Sequence, residues 1–192
     1  MSGSLFVISG PSGVGKGTLV DRMTERIPNT WVSVSATTRP PREGEVEGTH
    51  YFFLSDDEFD GMIADNGFLE WANVHTARYG TPRALVEERM AEGFNVLLEI
   101  DVQGGLQVRQ TKPEAHLVFV DPPSLEELRR RLVSRGTESI DVIDARMKVA
   151  EVEIAQKNKY DYVLVNDNLE IATDKLVDYI LSFAQDEKDE TA

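Results

Sequence analysis

Short apolar runs recur along the chain, and longer stretches with apolar residues at helical spacing separate most of them. The runs with strand character span residues 5–9, 31–35, 96–100, 117–120 and 162–165. After the first run, Leu19, Met23 and Ile27 form an apolar stripe of the kind that one face of a helix buries. Strands that alternate with helices predict an α/β fold in which helices cover a parallel central sheet.

Several helix ends are marked by residues with capping preferences. The sequence Ser124-Leu125-Glu126-Glu127 matches a capping box, so we expect a helix to begin there. Pro82 suits the first position of a helix, and Gly93 suits the position just after a helix end. We therefore predict a helix that Pro82 opens and Gly93 closes.

The alternation of strands and helices breaks between about residues 36 and 80. Segments 51–54 and 68–74 have strand character and flank a short helix that starts at Ser55. This pattern predicts an inserted, strand-rich subdomain. A second irregular patch, residues 135–139, separates two helical patterns and indicates a hinge within a lid over about 125–157. We expect one domain over 1–184 and a frayed acidic tail over 185–192.

Composition narrows the class of protein. A chain of 192 residues with 41% apolar content suits one compact domain, and a net charge of −14 argues against a general nucleic-acid binder. The sequence contains no cysteine, which excludes disulfides and thiolate metal sites. We expect no leader and no membrane span, and thus a soluble, cytoplasmic protein, with monomer and homodimer both open. The three histidines lack metal-ligand spacing and are expected to be structural.

A glycine-rich loop follows the first strand and precedes the first helix. It reads Gly10-Pro11-Ser12-Gly13-Val14-Gly15-Lys16, which fits the phosphate-binding pattern G-x-x-x-x-G-K in the right structural context. Backbone amides of such a loop and the helix N-terminus bind phosphate oxygens, and Lys16 adds a positive charge. The sequence therefore predicts a site for the phosphates of ATP.

The magnesium ligand is less clear, because Gly17 stands where this pattern usually has a hydroxyl residue and Thr18 comes one position later. Mg²⁺ keeps several waters in such sites, so carboxylates can act through water. Glu99 and Asp101 end a buried strand, at the sheet edge where ligands bind in α/β proteins. We expect Mg²⁺ near Thr18, Glu99 and Asp101, held largely by nucleotide oxygens and water.

The segment Ser35-Ala36-Thr37-Thr38-Arg39-Pro40-Pro41-Arg42 is the second informative stretch. Its prolines favour polyproline geometry, which repeats every three residues. Arg39 and Arg42 then point to the same side, about 9 Å apart at ~3.1 Å per residue, and can clasp one phosphate. A solvated arginine pair in a loop is the alternative.

The chain resembles guanylate kinases over nearly its whole length. The motifs that carry the resemblance are G-P-S-G-V-G-K-G-T from Gly10, S-A-T-T-R-P-P-R from Ser35, G-E-V-E-G-T-H-Y-F-F at 44–53, L-E-W-A around Glu70, Y-G-T-P at 79–82, L-E-I-D-V-Q-G at 98–104, R-G-T-E-S at 135–139 and D-Y-V-L-V-N-D at 161–167. The resemblance implies a three-layer P-loop kinase fold with a GMP-binding insertion and a helical lid, and transfer of the γ-phosphoryl group of ATP to GMP.

The resemblance also implies roles for residues of the insertion. It assigns the GMP phosphate to Arg39, Arg42, Tyr51 and Tyr79, and the guanine to Ser35, Glu70, Thr81 and Asp101. Guanine presents two adjacent donors, N1–H and the N2 amino group, which one carboxylate can accept together. Without the resemblance, an ordinary exposed acid is the favoured interpretation of Glu70, and core packing is the favoured interpretation of the tyrosines.

The lid residues follow from the same resemblance. It implies that Arg131, Arg135 and Arg146 close over the phosphates and act with Lys16, Arg39 and Asp101 in catalysis, while Asn166 lies near the adenine. Arg129 and Arg130 are expected to be solvated. Two rival hypotheses remain: a scaffold of the same fold that binds proteins, and a kinase for another nucleotide or a phosphorylated sugar.

Overall fold

We describe a computed structural model that covers residues 3–74, 76–134, 136 and 139–189. Arg135 and His75 lie outside these ranges. Within them the elements, in chain order, are β1 (Leu5–Ser9), α1 (Lys16–Thr24), β2 (Thr30–Val32), β3 (Ala36–Thr37), β4 (Phe52–Phe53), α2 (Asp56–Ala64), β5 (Phe68–Val74), β6 (Ala77–Pro82), α3 (Arg83–Ala91), β7 (Asn95–Glu99), α4 (Val102–Thr111), β8 (His116–Asp121), α5 (Leu125–Ser134), α6 (Ile140–Ile154), β9 (Tyr162–Val165) and α7 (Leu169–Asp189).

The central sheet has the strand order β2-β7-β1-β8-β9, and its neighbouring strands all pair in parallel. Its middle strand is β1, whose five residues are all buried. A run that is apolar throughout suits this position, because helices cover both faces of a parallel sheet. The carboxyl ends of the strands therefore share one edge, and the glycine-rich loop leaves β1 there.

Alternate residues of β1 face the two halves of the core. Phe6 and Ile8 pack in a cluster with residues of α1, α5, α6 and α7, whereas Leu5 and Val7 pack in a second cluster with residues of α3 and α4. This alternation follows from the two-residue period of a strand. The packing of helices on both faces of the parallel sheet confirms the predicted three-layer α/β fold. Among the described residues, we find no helix with the length and apolar character to cross a membrane.

The inserted subdomain forms a second sheet with the strand order β4-β3-β6-β5. Helix α2 packs on it around a small core of Ala36, Phe59 and Phe68. Ser55 caps α2 through a complete capping box with Glu58, as the sequence predicts. The insertion is thus a small sheet with its own core.

Three expectations about element boundaries need correction. Pro82 is the last residue of β6 and the N-cap of α3, so the helix begins one residue later than predicted. The sequence pattern also missed most of β6, because Ala77–Pro82 lacks a clear apolar alternation. Helix α7 continues to Asp189, and residues 185–189, which we expected to fray, are helical. Gln, Glu and Lys in that segment are good helix formers.

Other predicted boundaries are confirmed. Gly93 follows the end of α3 with φ of 90°, and the Ser124 hydroxyl accepts a hydrogen bond from the backbone N–H of Glu127 at 3.0 Å. The carboxylate of Glu127 accepts from Arg130 and Arg131. The cap at the start of α5 therefore rests on Ser124.

Candidate active site

The glycine-rich loop wraps the edge of the central sheet between β1 and α1. Gly15 is the N-cap of α1 with φ of 99°, and a Cβ on Gly10 would stand 2.3 Å from the carbonyl oxygen of Val120. Neither position tolerates a side chain without strain. The Lys16 Nζ donates to the carbonyl oxygens of Gly10 at 2.6 Å and Pro11 at 3.3 Å. Its charge therefore lies over the loop that would hold phosphates.

Glu99 lies at the carboxyl end of β7, beside the start of α1. A Cβ on Gly17 would come within 3.5 Å of the Glu99 carboxylate, so the residue after Lys16 faces this acid. Desolvation raises the pKa of Glu99, and the charge of Lys16 opposes the shift. Thr18, one residue further, is exposed.

Asp101 caps helix α4. Its carboxylate accepts from the backbone N–H of Gly104 at 2.7 Å, and its carbonyl oxygen accepts from the Ser9 hydroxyl at 3.1 Å. In the described part of the chain, no group of three or more histidines and carboxylates has the geometry to hold a metal ion by itself. The magnesium site near Thr18, Glu99 and Asp101 stays a prediction from the sequence.

The carboxylate of Glu70 is buried inside the insertion, and the residue is only 8% exposed. It accepts a hydrogen bond from the hydroxyl of Thr81 at 2.6 Å. Burial raises the pKa of Glu70 to about 7, while the Thr81 hydrogen bond lowers it and the charge of Asp101 raises it. The alternative that Glu70 is an ordinary exposed acid is therefore wrong.

A cleft of about 230 Å³ opens onto this carboxylate. The residues predicted for nucleotide binding that line it are Ser35, Tyr51, Glu70, Tyr79, Glu99 and Asp101. The cleft reaches from the insertion to the carboxyl edge of the central sheet, since Glu99 ends β7. Residues that lie far apart in the sequence thus meet at one opening.

Arg39 contacts two residues of this group, Tyr51 and Tyr79, and is held from several sides. Its Nη1 and Nη2 each donate to the Glu45 carboxylate at 2.6 Å, and its Nε donates to the Tyr79 hydroxyl at 3.1 Å. The Tyr51 ring centroid lies 4.9 Å from the Arg39 guanidinium carbon. These contacts raise the pKa of Arg39, mainly through Glu45. The structure therefore brings Arg39, Tyr51 and Tyr79 together.

Arg42 is arranged differently. Its side chain is exposed, and its backbone N–H donates to the Glu45 carboxylate at 2.8 Å. Hydrogen bonds from Arg39 and from the Arg42 backbone lower the pKa of Glu45 to about 2. Glu45 thus closes the turn that carries both arginines. Sequence reasoning missed this residue, because only the fold of the turn shows which acid reaches Arg39.

Two of the three predicted lid arginines contact the glycine-rich loop. Arg131 donates to the carbonyl oxygens of Val14 at 3.3 Å and Asn166 at 3.0 Å, and Arg146 donates to the Ser12 hydroxyl at 2.7 Å. Arg135 lies outside the described residues. Arg129 and Arg130 lie on the exposed side of α5, in ion pairs with Asp144 and Glu127, as expected for solvated residues.

Asn166 follows β9 and lies against the glycine-rich loop. Its Nδ2 donates to the carbonyl oxygen of Val14 at 2.9 Å, and a Cβ on Gly15 would stand 2.8 Å from that nitrogen. The residue is 5% exposed. Asn166 therefore supports the loop, and its place near the adenine stays a prediction.

Beside the glycine-rich loop lies a larger cavity of about 700 Å³, lined by Ser12, Val74, Arg146 and Glu153 among others. Glu153 is a residue that the sequence did not single out. Burial raises its pKa to about 7, with the charge of Lys16 lowering it and Asp101 raising it. Its position two helical turns after Arg146 places both on one face of α6.

The described histidines have structural contacts. His116 stacks against Phe6 and Phe183 with ring centroids 5.1 and 3.8 Å away. The Nδ1 of His50 accepts from the backbone N–H of Val46 at 3.0 Å. His75 lies outside the described residues.

The parallel sheet lies between two layers of helices, and the glycine-rich loop at its edge ends in Lys16. Arginines on α5 and α6 reach this loop. These features together define a P-loop kinase. The chain belongs to the guanylate kinase family, since the family model described as "Guanylate kinase" matches residues 2–183.

Individual proteins agree with this family. Guanylate kinase from Streptomyces coelicolor is 55% identical over 86% of this chain and 84% of its own, and the one from Thermobifida fusca is 52% identical over 90% and 88%. A solved structure, guanylate kinase from Anaplasma phagocytophilum, is 34% identical and superimposes with a TM-score of 0.73. It covers 94% of this chain, and the match spans 86% of that protein.

Proposed function

We propose that this member of the family transfers the γ-phosphoryl group of ATP to GMP, giving ADP and GDP, with the residues described above in the roles that the resemblance assigns. The observation that carries the proposal is the cleft that runs from the buried carboxylate of Glu70, which Thr81 contacts, to Glu99 at the carboxyl end of β7 beside the start of α1. The Glu70 end of the cleft suits a purine with two adjacent donors, and the glycine-rich loop next to the Glu99 end suits the phosphates of a nucleoside triphosphate.

Guanine would bind with its N1–H and N2 amino group toward the Glu70 carboxylate. The hydroxyls of Ser35 and Thr81 can serve the remaining polar edge of the base, and Asp101 lines the same cleft. Adenine presents an acceptor at N1, which would oppose the lone pairs of Glu70. A buried polar group without a partner can discriminate by as much as ~10⁴ to 10⁵.

The GMP phosphate would bind among Arg39, Arg42, Tyr51 and Tyr79. Arg39 is already oriented by Glu45 and Tyr79, so this charge does not have to be ordered when substrate enters. The phosphate oxygen of GMP is anionic and needs no side chain to remove a proton. Positioning and charge stabilisation are then the work of the protein.

The ATP phosphates would bind the glycine-rich loop from Gly10 to Lys16 with Thr18 close by, and Asn166 supports the loop. Charge spreads over the transferred group in the transition state, and Lys16, Arg131, Arg135 and Arg146 would stabilise it. Mg²⁺ neutralises charge on the ATP phosphates when it is bound, and Thr18, Glu99 and Asp101 would hold it largely through water.

The test is ATP consumption measured in parallel with GMP, AMP, CMP and UMP. We expect strong turnover with GMP and weak turnover with the other three. Comparable rates with AMP would contradict the assignment of Glu70 as the base-reading group. As part of the same proposal the enzyme works in the cytoplasm, where a chain without cysteine needs no oxidising environment.

A further inference from the structure

Gln107 on helix α4 binds the backbone of the strand that carries Glu70. Its Oε1 accepts from the backbone N–H of Trp71 at 3.2 Å, and its Nε2 donates to the carbonyl oxygen of Trp71 at 3.1 Å. Strand β5 is at the edge of the second sheet, so these two backbone groups face away from β6. The carboxamide of Gln107 thus takes the place that a neighbouring strand would have.

Helix α4 also binds the residue on the other side of Glu70. The hydroxyl of Thr111 donates to the carbonyl oxygen of Leu69 at 2.8 Å. The pairing of β5 with β6 is irregular between Phe68 and Trp71, so the sheet itself holds this stretch less regularly. The backbone on both sides of Glu70 is therefore held by α4.

The start of α4 contacts the Glu70 side chain directly. A Cβ on Gly104 would stand 2.9 Å from the Glu70 Oε2, so a side chain at this position would push the carboxylate from its place. Asp101 caps the same helix and lines the same cleft. One rigid helix therefore sets the distance between the two acids proposed to surround guanine.

Behind Glu70 lies a second cavity of about 160 Å³, lined by Glu70, Trp71, Gln107 and Thr111 among others. Glu70 and the Gln107 bridge thus border the same open space. The bridge from Gln107 to Trp71 joins α4 to β5 along this space.

We propose that Gln107 is a positioning residue for guanine recognition: its bridge to Trp71 keeps the Glu70 carboxylate where it can accept both donors of the base. The inference rests on the proposed function of Glu70. Reading N1–H and the N2 amino group together requires good geometry at two hydrogen bonds, and misplacement by about 1 Å can cost ~10²-fold in catalytic efficiency. Selectivity for guanine then depends on a residue that does not contact the nucleotide.

The test compares Gln107→Leu with Gln110→Leu, a matched change at an exposed position of the same helix. The readout is the ratio of kcat/KM for GMP to that for IMP, whose base lacks the N2 amino group. We expect Gln107→Leu to lower this ratio by about tenfold or more, mainly through the KM for GMP. The KM for ATP should stay unchanged, and Gln110→Leu should resemble the unaltered protein.

Gln107→Glu provides a second variant in case the leucine change prevents folding. Its carboxylate can still accept from the Trp71 N–H but cannot donate to the Trp71 carbonyl oxygen, so it should also lower the ratio. If kcat/KM for GMP and IMP fall by the same factor, or neither changes, Gln107 has only a structural role and the inference is wrong.

Glu70→Gln, measured in parallel, separates this inference from the proposed function. If Glu70→Gln lowers the GMP-to-IMP ratio of kcat/KM and the Gln107 variants do not, the role of Glu70 in guanine binding is supported and the role of Gln107 is refuted. If Glu70→Gln leaves the ratio unchanged, Glu70 does not read the N2 group. The role of Glu70 and the inference about Gln107 then both fail, whereas phosphoryl transfer to GMP is tested separately by the comparison of the four nucleotides.

Discussion

The carboxylate of Glu45 accepts hydrogen bonds from both terminal nitrogens of Arg39 at 2.6 Å. The side chain of Glu45 is only 17% exposed, and that of Arg39 is 14% exposed. The remaining donors of Arg39 are largely engaged as well, since Nε binds the Tyr79 hydroxyl and Nη1 also binds the Pro40 carbonyl oxygen. The arginine proposed to receive the GMP phosphate is thus oriented before substrate arrives. Its geometry depends on an acid six residues later in the same turn.

The first prediction concerns the acid stability that this pair provides. The pKa of Glu45 is lowered from 4.5 to about 2, so the pair stabilises the folded protein above pH 4.5. That contribution is lost as the pH falls from 4.5 toward 2. Urea unfolding between pH 5 and pH 3 should show a smaller loss of stability for Glu45→Gln than for the unaltered protein.

Glu43→Gln is the control, because Glu43 is an exposed acid in the same turn. Equal slopes of stability against pH for Glu45→Gln and the unaltered protein would show that the ion pair does not persist in solution.

The second prediction separates the two nucleotide sites. Arg39→Ala and Arg42→Ala should each weaken GMP binding by about 1.5 to 3 kcal/mol, because each removes a charge-assisted hydrogen bond to phosphate. ATP binding should change little. Calorimetric titration with each nucleotide measures both effects, and equal losses for GMP and ATP would contradict the assignment.

The third prediction concerns Lys16. Lys16→Ala should lower kcat by about 10²- to 10³-fold, since its charge is used mainly on the transferring phosphoryl group. Circular dichroism should show an unchanged fold. Lys148→Ala, at an exposed position of α6, is the matched control. Near-normal turnover of the Lys16 variant would remove this residue from the mechanism.

The sequence predicted best those features that lie within one continuous stretch. The strand, loop and helix from β1 to α1 needed only local pattern, and so did the capping box of Ser55 and Glu58. Strand β6 was missed because its six residues carry no alternation, although pairing with β3 and β5 determines its structure. Tertiary pairing had overridden local preference there.

The features of the candidate site also differ in how far a local stretch of sequence predicts them. The phosphate loop could be predicted from spacing, and the resemblance supplied Glu70, but burial of that carboxylate against Thr81 and Gly104 depends on three separate segments. The bridge from Gln107 to Trp71 joins residues 36 positions apart, and no local pattern indicates it. Contacts of this kind come from packing of the insertion on the core.

The fourth prediction is closure of the enzyme around both nucleotides. Val74 at the end of β5 lines the 700 Å³ cavity together with Val142 and Val149 of α6, and all three are exposed. Bringing these apolar side chains together would bury them, which favours a closed form. Solution scattering should show a smaller radius of gyration with ATP and GMP analogues bound. An unchanged radius would refute the closure.

The last prediction concerns the buried carboxylate of Glu70. As the pH rises, loss of its proton should lower the stability of the folded protein and raise its affinity for GMP. Burial raises its pKa from 4.5 to about 7, so the folded protein without ligand holds the proton more tightly than the unfolded chain does. The stability associated with that proton is present below pH 4.5 and is lost as the pH rises through 7. The difference between these pKa values corresponds to ~3 kcal/mol. Glu70→Gln should therefore become progressively more stable than the unaltered protein between pH 5 and pH 8 in urea unfolding.

The same substitution should damage guanine recognition. Only the ionised carboxylate can accept from N1–H and the N2 amino group together, whereas glutamine accepts with one oxygen and points its NH₂ at a donor. The KM for GMP should rise strongly, the KM for ATP should stay nearly constant, and the preference for GMP over IMP should narrow.

In the unaltered protein, GMP affinity should increase as the pH rises through 7, because binding needs the proton to leave Glu70. IMP carries the same phosphate and controls for its titration. A GMP-to-IMP ratio of kcat/KM that Glu70→Gln leaves unchanged would mean that the carboxylate does not read N2, and that guanine binds elsewhere in the cleft.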